Sequence, residues 1–87
     1  MPSRYRIAID DKVLKDLKKI DRPWQEKILQ KIKSDLAEHP YRGKRLVGNF
    51  APFWRMRVGA YRIIYSIHDE IVTVEVIKIG HRKEIYG

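Results

Sequence analysis

Two short alternating runs on either side of Gly59-Ala60 constrain this chain more than any other feature. Residues Phe53 to Val58 and Tyr61 to Ile67 set large apolar side chains against arginines and small polar groups at a spacing of two. That is the period of a strand with one buried face. A two-residue connection containing Gly folds two such strands back on each other as a hairpin. Paired across it, Val58 lies opposite Tyr61, Met56 opposite Ile63 and Trp54 opposite Tyr65, so six large side chains share one face. The other face receives Arg57 opposite Arg62, with Arg55 beside Ile64. Like charges directly opposite each other cost stability. An arginine pair kept on a flat surface despite that cost is explained by a polyanion that neutralises it.

The rest of the chain supplies layers for this hairpin. Arg4 to Ile9 reads as a first strand, with Tyr5, Ile7 and Ile9 on one face. Asp10 or Asp11 is placed to cap a helix. That helix carries Val13, Leu14, Leu17 and Ile20 on one stripe and Lys12, Lys15, Lys18 and Lys19 outside it. Asp21-Arg22-Pro23 stops and restarts the helical pattern, because Pro is tolerated in a first turn. A second helix follows to about Glu38, with Trp24, Ile28, Leu29, Ile32 and Leu36 as its stripe. His39-Pro40 ends it. Tyr41 to Pro52 reads as a basic loop that Leu46, Val47 and Phe50 tuck against the core. Ile71 to Ile79 is apolar at both alternating sets, as a central strand is. The expected fold is α+β, in the order β-α-α-β-β-β. A helical hairpin packs on one face of a mainly antiparallel twisted sheet and leaves the second face open. Residues 1–87 are expected to form one domain.

Charge sharpens this picture. The chain carries a formal net charge of +8. Between Glu38 and Asp69 there is no acidic residue, whereas Arg42, Lys44, Arg45, Arg55, Arg57 and Arg62 all fall there. The two helices, by contrast, mix Lys with Asp and Glu. A field concentrated in this way implies phosphate, an acidic partner protein, or both. The chain has no cysteine, so disulfides and zinc–thiolate sites are excluded, and a reducing cytoplasmic setting fits. No segment resembles a signal-peptide core or approaches the run of about 20 apolar residues that spans a bilayer.

The chemistry-bearing residues gather at the end of the last strand. Gly80 ends it, and His81, Arg82, Lys83 and Tyr86 follow. An antiparallel neighbour brings that end near Tyr61 and Arg62. Arg57, Arg62 and Arg82 are then expected on one open face with His81 and an aromatic residue. No serine or cysteine triad is available, no glycine-rich phosphate loop is present, and a lone His makes a poor metal site, so no metal or cofactor is implied. The set suits cleavage of RNA by attack of the ribose 2′-hydroxyl on the adjacent phosphorus. Arg62, with Arg57 or Arg82, would surround the pentacoordinate phosphorus. His81 is able to exchange a proton near neutral pH. Tyr86 would stack on a splayed base or orient the phosphate. Arg55, Arg57, Lys44, Arg45 and Lys83 are expected to bind the phosphate backbone.

The run Trp54-Arg55-Met56-Arg57-Val58-Gly59-Ala60-Tyr61-Arg62-Ile63-Ile64-Tyr65, followed by Gly80-His81-Arg82-Lys83-Glu84-Ile85-Tyr86, resembles the RelE/ParE superfamily of toxin–antitoxin toxins, and its RelE branch in particular. The resemblance implies a toxin that enters the ribosomal A site and cuts messenger RNA. It also implies an acidic antitoxin that wraps the toxin in a hetero-oligomer. Carried over by position, Arg62 matches the strand arginine at the scissile phosphate, Arg82 a second arginine after the last strand, and Tyr86 the C-terminal aromatic. Arg55 and Arg57 stand where some members carry lysines. Arginine does not give up its proton, so a base must come from another group, and His81 is the nearest. The alternative implied by the superfamily is a ParE-like inhibitor of DNA gyrase that cuts no RNA.

Overall fold

The computed structural model describes residues 4–48 and 52–83. Strand β1 (Arg6–Ile9) leads into α1 (Asp11–Lys18) and α2 (Arg22–Lys31). Four strands follow: β2 (Lys44–Arg45), β3 (Trp54–Val58), β4 (Tyr61–His68) and β5 (Thr73–His81). The sheet order is β1-β5-β4-β3-β2, with β1 parallel to β5 and the other pairings antiparallel. This is the expected α+β arrangement of two helices on one face of a mainly antiparallel sheet. Within the basic loop, Lys44 and Arg45 pair with Arg55 and Trp54 as an additional short edge strand.

The hairpin register is the one that the alternation dictates. Trp54 pairs with Tyr65, Met56 with Ile63, Arg57 with Arg62 and Val58 with Tyr61. Gly59 has φ 60°, while Ala60 stays out of the left-handed region. That is the type II′ pattern, whose twist matches the strands. A Cβ at Gly59 would sit 2.4 Å from the Trp24 ring, so the turn also lets α2 pack closely on the hairpin.

The helix pattern has its own consequence. Trp24, Ile28, Ile32 and Leu36 recur every four residues, which drifts by about 40° per step on a 3.6-residue helix. The chain answers with a π-helical turn over Ile32–Leu36. Wider turns of this kind are seen as short bulges in helices. Ile28, Ile32 and Leu36 are all fully buried as a result. They meet Met56, Ile63, Tyr65, Val74, Val76 and Ile79 in one core cluster. Trp24 and Trp54 pack against it, as expected of core aromatics. Tyr65 is wholly buried and donates its hydroxyl to the Pro40 carbonyl at 2.6 Å. Burial pushes its phenol up to about 12, opposed by the Gly43 backbone hydrogen bond.

Two departures from the expected picture matter. Val47 is exposed rather than tucked in. Leu46 is half-buried, and its N–H bonds the Phe53 carbonyl at 2.9 Å, so the residue after it faces outward. Phe50 lies outside the described residues. The second departure is in β5. Ile64 pairs with Lys78 but Tyr65 pairs with Val76, so Ile77 is bulged out of the register. Val74 and Val76 face the helices before the bulge, and Ile79 and His81 do so after it. The doubly apolar run of β5 therefore reflects a change of face within one strand.

Candidate nucleic-acid interface

The face away from the helices is built from rows of paired residues. One row runs Arg57–Arg62–Gly80. The next runs Lys44–Arg55–Ile64–Lys78. Beyond the bulge lies Ser66–Glu75–Ala8, and then His68–Thr73–Arg6. Six cations thus occupy the rows nearest the Gly59-Ala60 turn or the row beside it, counting Arg82, whose N–H bonds the Ala60 carbonyl at 2.8 Å.

Arg62 is the most constrained of them. It is 8% exposed, whereas Arg57 beside it is open to solvent. This differs from the expectation that both arginines stand out from a flat surface. Arg62 Nη1 donates to the Gly59 and Tyr61 carbonyls at 3.3 and 3.2 Å, and its buried Nε has no partner among the described residues. The guanidinium is thereby held against the turn by carbonyl dipoles, with no carboxylate on it among the described residues. The ion pairs among the described residues lie elsewhere, at Arg4–Glu38, Arg22–Glu26, Lys31–Asp35 and His68–Glu75. A desolvated cation without a counter-charge is costly to hold, and Arg57 across the pair adds to that cost. Opposite Arg62, Gly80 presents no side chain and is itself buried.

The same basic surface turns over the outer edge of β3. A groove of about 360 Å³ there is lined by Lys31, Asp35, Arg42, Lys44, Arg55 and Arg57, among others. Asp35 is engaged by Lys31 at 2.8 Å, and that hydrogen bond holds its carboxyl below the usual range. Lys44, Arg55 and Arg57 are therefore brought together along this groove. Arg45 is exposed on β2 opposite Trp54. Lys31 and Lys78 join the basic surface without having been singled out, and Arg42, counted in the acid-free segment, lines the groove with Lys31. Lys78 was hidden because strict alternation along β5 gives the wrong face beyond the bulge.

His81 is placed differently from expectation. It pairs with Tyr61, so its ring belongs to the helix side, and the expected meeting with Arg57 and Arg62 on the open face does not occur. The cause is again the bulge at Ile77. Its ring meets Tyr61 edge-on at 5.6 Å and lines a cavity of about 330 Å³ with Asp16, Lys19, Asp21, Tyr61 and Gly80. His81 Nδ1 accepts the Lys83 N–H at 3.2 Å, which leaves Nε2 as the protonated nitrogen of the neutral ring. Arg82 and Lys83 are exposed. Tyr86 lies outside the described residues. Among the described residues, no group of three or more His, Asp or Glu side chains is gathered to hold a metal, and no helix is long and apolar enough to cross a membrane.

Comparison with known proteins agrees with this geometry. The family described as ParE toxin of type II toxin-antitoxin system, parDE, matches residues 7–86. The chain is similar to Toxin RelG of Mycobacterium tuberculosis, at 31% identity over 94% of this chain and 95% of that protein. It is similar to the mRNA interferase toxin RelE of Escherichia coli K12, at 28% identity over 95% and 90% of the two chains. Its fold superimposes on a chain of the toxin-antitoxin complex RelBE2 from M. tuberculosis with TM-score 0.87 and 29% identity, covering 94% and 95%. The chain therefore belongs to the ParE family of type II toxins and, by these relatives, to the RelE-like branch of the RelE/ParE superfamily.

Proposed function

We propose that this toxin is an endoribonuclease that cuts messenger RNA in the ribosomal A site, through attack of the ribose 2′-hydroxyl on the scissile phosphate. The observation that carries this reading is the Arg57–Arg62 row, a cation pair on the face away from the helices with no counter-charge among the described residues. A phosphate seated there receives the Arg62 guanidinium, already oriented by the Gly59 and Tyr61 carbonyls. Preorganised donors aimed at developing charge are the largest catalytic contribution in such reactions. Arg57 and Arg82 add positive charge around the pentacoordinate phosphorus. Lys44, Arg45, Arg55 and Lys83, with Lys78, hold the flanking phosphates.

His81 stands at the strand end, one residue beyond Gly80, and is partly exposed. Because Nδ1 is engaged by Lys83, Nε2 is the nitrogen available to substrate. Its Nε2–H then hydrogen-bonds the departing 5′-oxygen rather than acting as the base, and water takes the 2′-hydroxyl proton and returns one to that oxygen as its bond to phosphorus breaks. Tyr86 completes the site by stacking on a base. With arginine unable to act as base and Lys44, Lys78 and Lys83 assigned to the flanking phosphates, the ribosome orders the 2′-hydroxyl for attack. The names of relatives that state an activity, mRNA interferases, support RNA cutting over the gyrase alternative. We assign an acidic antitoxin as partner in a hetero-oligomer, because the basic groove and arginine rows need covering when the toxin is silent. The matching fold is found in toxin–antitoxin complexes. The test is a translation reaction with purified toxin and mapped messenger ends. Discrete new 5′ ends that depend on translating ribosomes are expected, and intact messenger would overturn the reading.

A further inference from the structure

The open face does not remain basic along its length. Past the bulge, Ser66, His68 and Glu75 form a hydrogen-bonded group. Ser66 Oγ lies 3.0 Å from His68 Nε2 and 3.5 Å from Glu75 Oε1, and His68 Nε2 lies 3.3 Å from the same oxygen. Both bonds to Glu75 end on Oε1, and Oε2 has no partner among the described residues. The Glu75 and His68 side chains are half-exposed, and the neighbour of Glu75 on β1 is only Ala8. Among the described positions of this face, Glu75 is the one carboxylate.

A carboxylate in line with two rows of cations cannot serve a phosphate, which it would repel. It suits a ligand that presents N–H donors. Ser66 is four residues along β4 from Arg62, or about 13 Å, the reach of about two extended nucleotides. We propose that Glu75, oriented by Ser66 and His68, is a specificity residue that reads the Watson–Crick edge of a base about two nucleotides from the cut. It accepts from bases bearing an amino group and disfavours uracil, which has none. Acidic side chains accept from exocyclic base amines in this way, and single-stranded RNA is read on such edges. The inference rests on the nuclease reading above.

The experiment maps cleavage across a messenger library randomised around the cut, in translation reactions with wild-type toxin, Glu75→Gln and Ser66→Ala. Wild type should disfavour uracil about tenfold at one fixed position about two nucleotides from the cut. Glu75→Gln should lower that discrimination to below about threefold at this position alone, and Ser66→Ala should weaken it partly. An unaltered preference in a folded Glu75→Gln protein would overturn this assignment while leaving the nuclease reading intact. Absence of cutting by the wild type would overturn both.

Discussion

The two ends of the sheet treat charge in opposite ways. At the turn joining β4 to β5, Asp69 accepts the Tyr5 hydroxyl at 2.5 Å and that of Tyr41 as well. Tyr41 stacks edge-on against Trp54 at 5.3 Å, and His68 is paired to Glu75 close by. The two hydroxyl bonds hold the Asp69 carboxyl below its usual range, and the bond to Asp69 pushes Tyr5 up to about 12. One acidic group there ties together β1, the loop after the helices and the β4–β5 turn. At the Gly59-Ala60 end, Arg57 and Arg62 face each other with carbonyls as the neighbours shown for Arg62. The first end is satisfied from within the chain. The second has no counter-charge among the described residues. Structural residues and functional residues differ here in whether the fold itself supplies the partner.

The strongest way to break this contrast is to empty the unsatisfied end. Arg62→Ala should lower messenger cutting by about 10²–10³-fold, as loss of one preorganised donor does. Its melting temperature should not fall, since the change removes a desolvated cation that repels its neighbour. Primer extension with a parallel thermal melt reads both. A variant that melts well below wild type would show instead that Arg62 is part of the scaffold.

Gly43 tests how much the satisfied side depends on close packing. A Cβ there would fall 2.0 Å from the Tyr65 hydroxyl oxygen and 2.7 Å from the Arg55 carbonyl. Gly43→Ala should destabilise the fold by about 1–3 kcal/mol, the range for overpacking, measured by urea unfolding. It should also displace Lys44 and Arg55 along the groove and so weaken RNA binding. The smallest effect belongs to Asp69. Its folded carboxyl titrates below the unfolded value, so its contribution is present above about pH 4 and is lost as pH falls through the folded value. Wild type should lose melting temperature between pH 5 and 3 more steeply than Asp69→Asn, by a small margin, because the carboxyl is exposed at the surface.

Much of the fold was legible because single residues obey strong local rules. The alternation about Gly59-Ala60 fixed the β3–β4 register, since a slip of one residue would expose Met56 and Ile63. Pro23 and His39-Pro40 bounded α2 together with its π-helical continuation. The paired arginines were legible for the same reason as the register. Three things were not. The bulge at Ile77 has no residue signature, because Ile fits either face of an apolar strand, and it alone reassigns Lys78 and His81. The burial of Arg62 depends on the carbonyls of a particular turn type, which composition does not reveal. The two-residue strand β2 is too short to show a period. All three depend on how neighbouring strands meet, which a local reading does not capture.

The central claim is that Arg57 and Arg62 oppose each other at a cost to the fold and are retained for phosphate. Exchanging one charge tests it most directly, through the thermal melt of Arg57→Glu at low salt. An opposite-charge cross-strand pair is worth about 0.2–1 kcal/mol. The variant should therefore melt at or a few degrees above wild type, and it should no longer cut messenger. A lower melting temperature, or a variant that still cuts, would contradict the account.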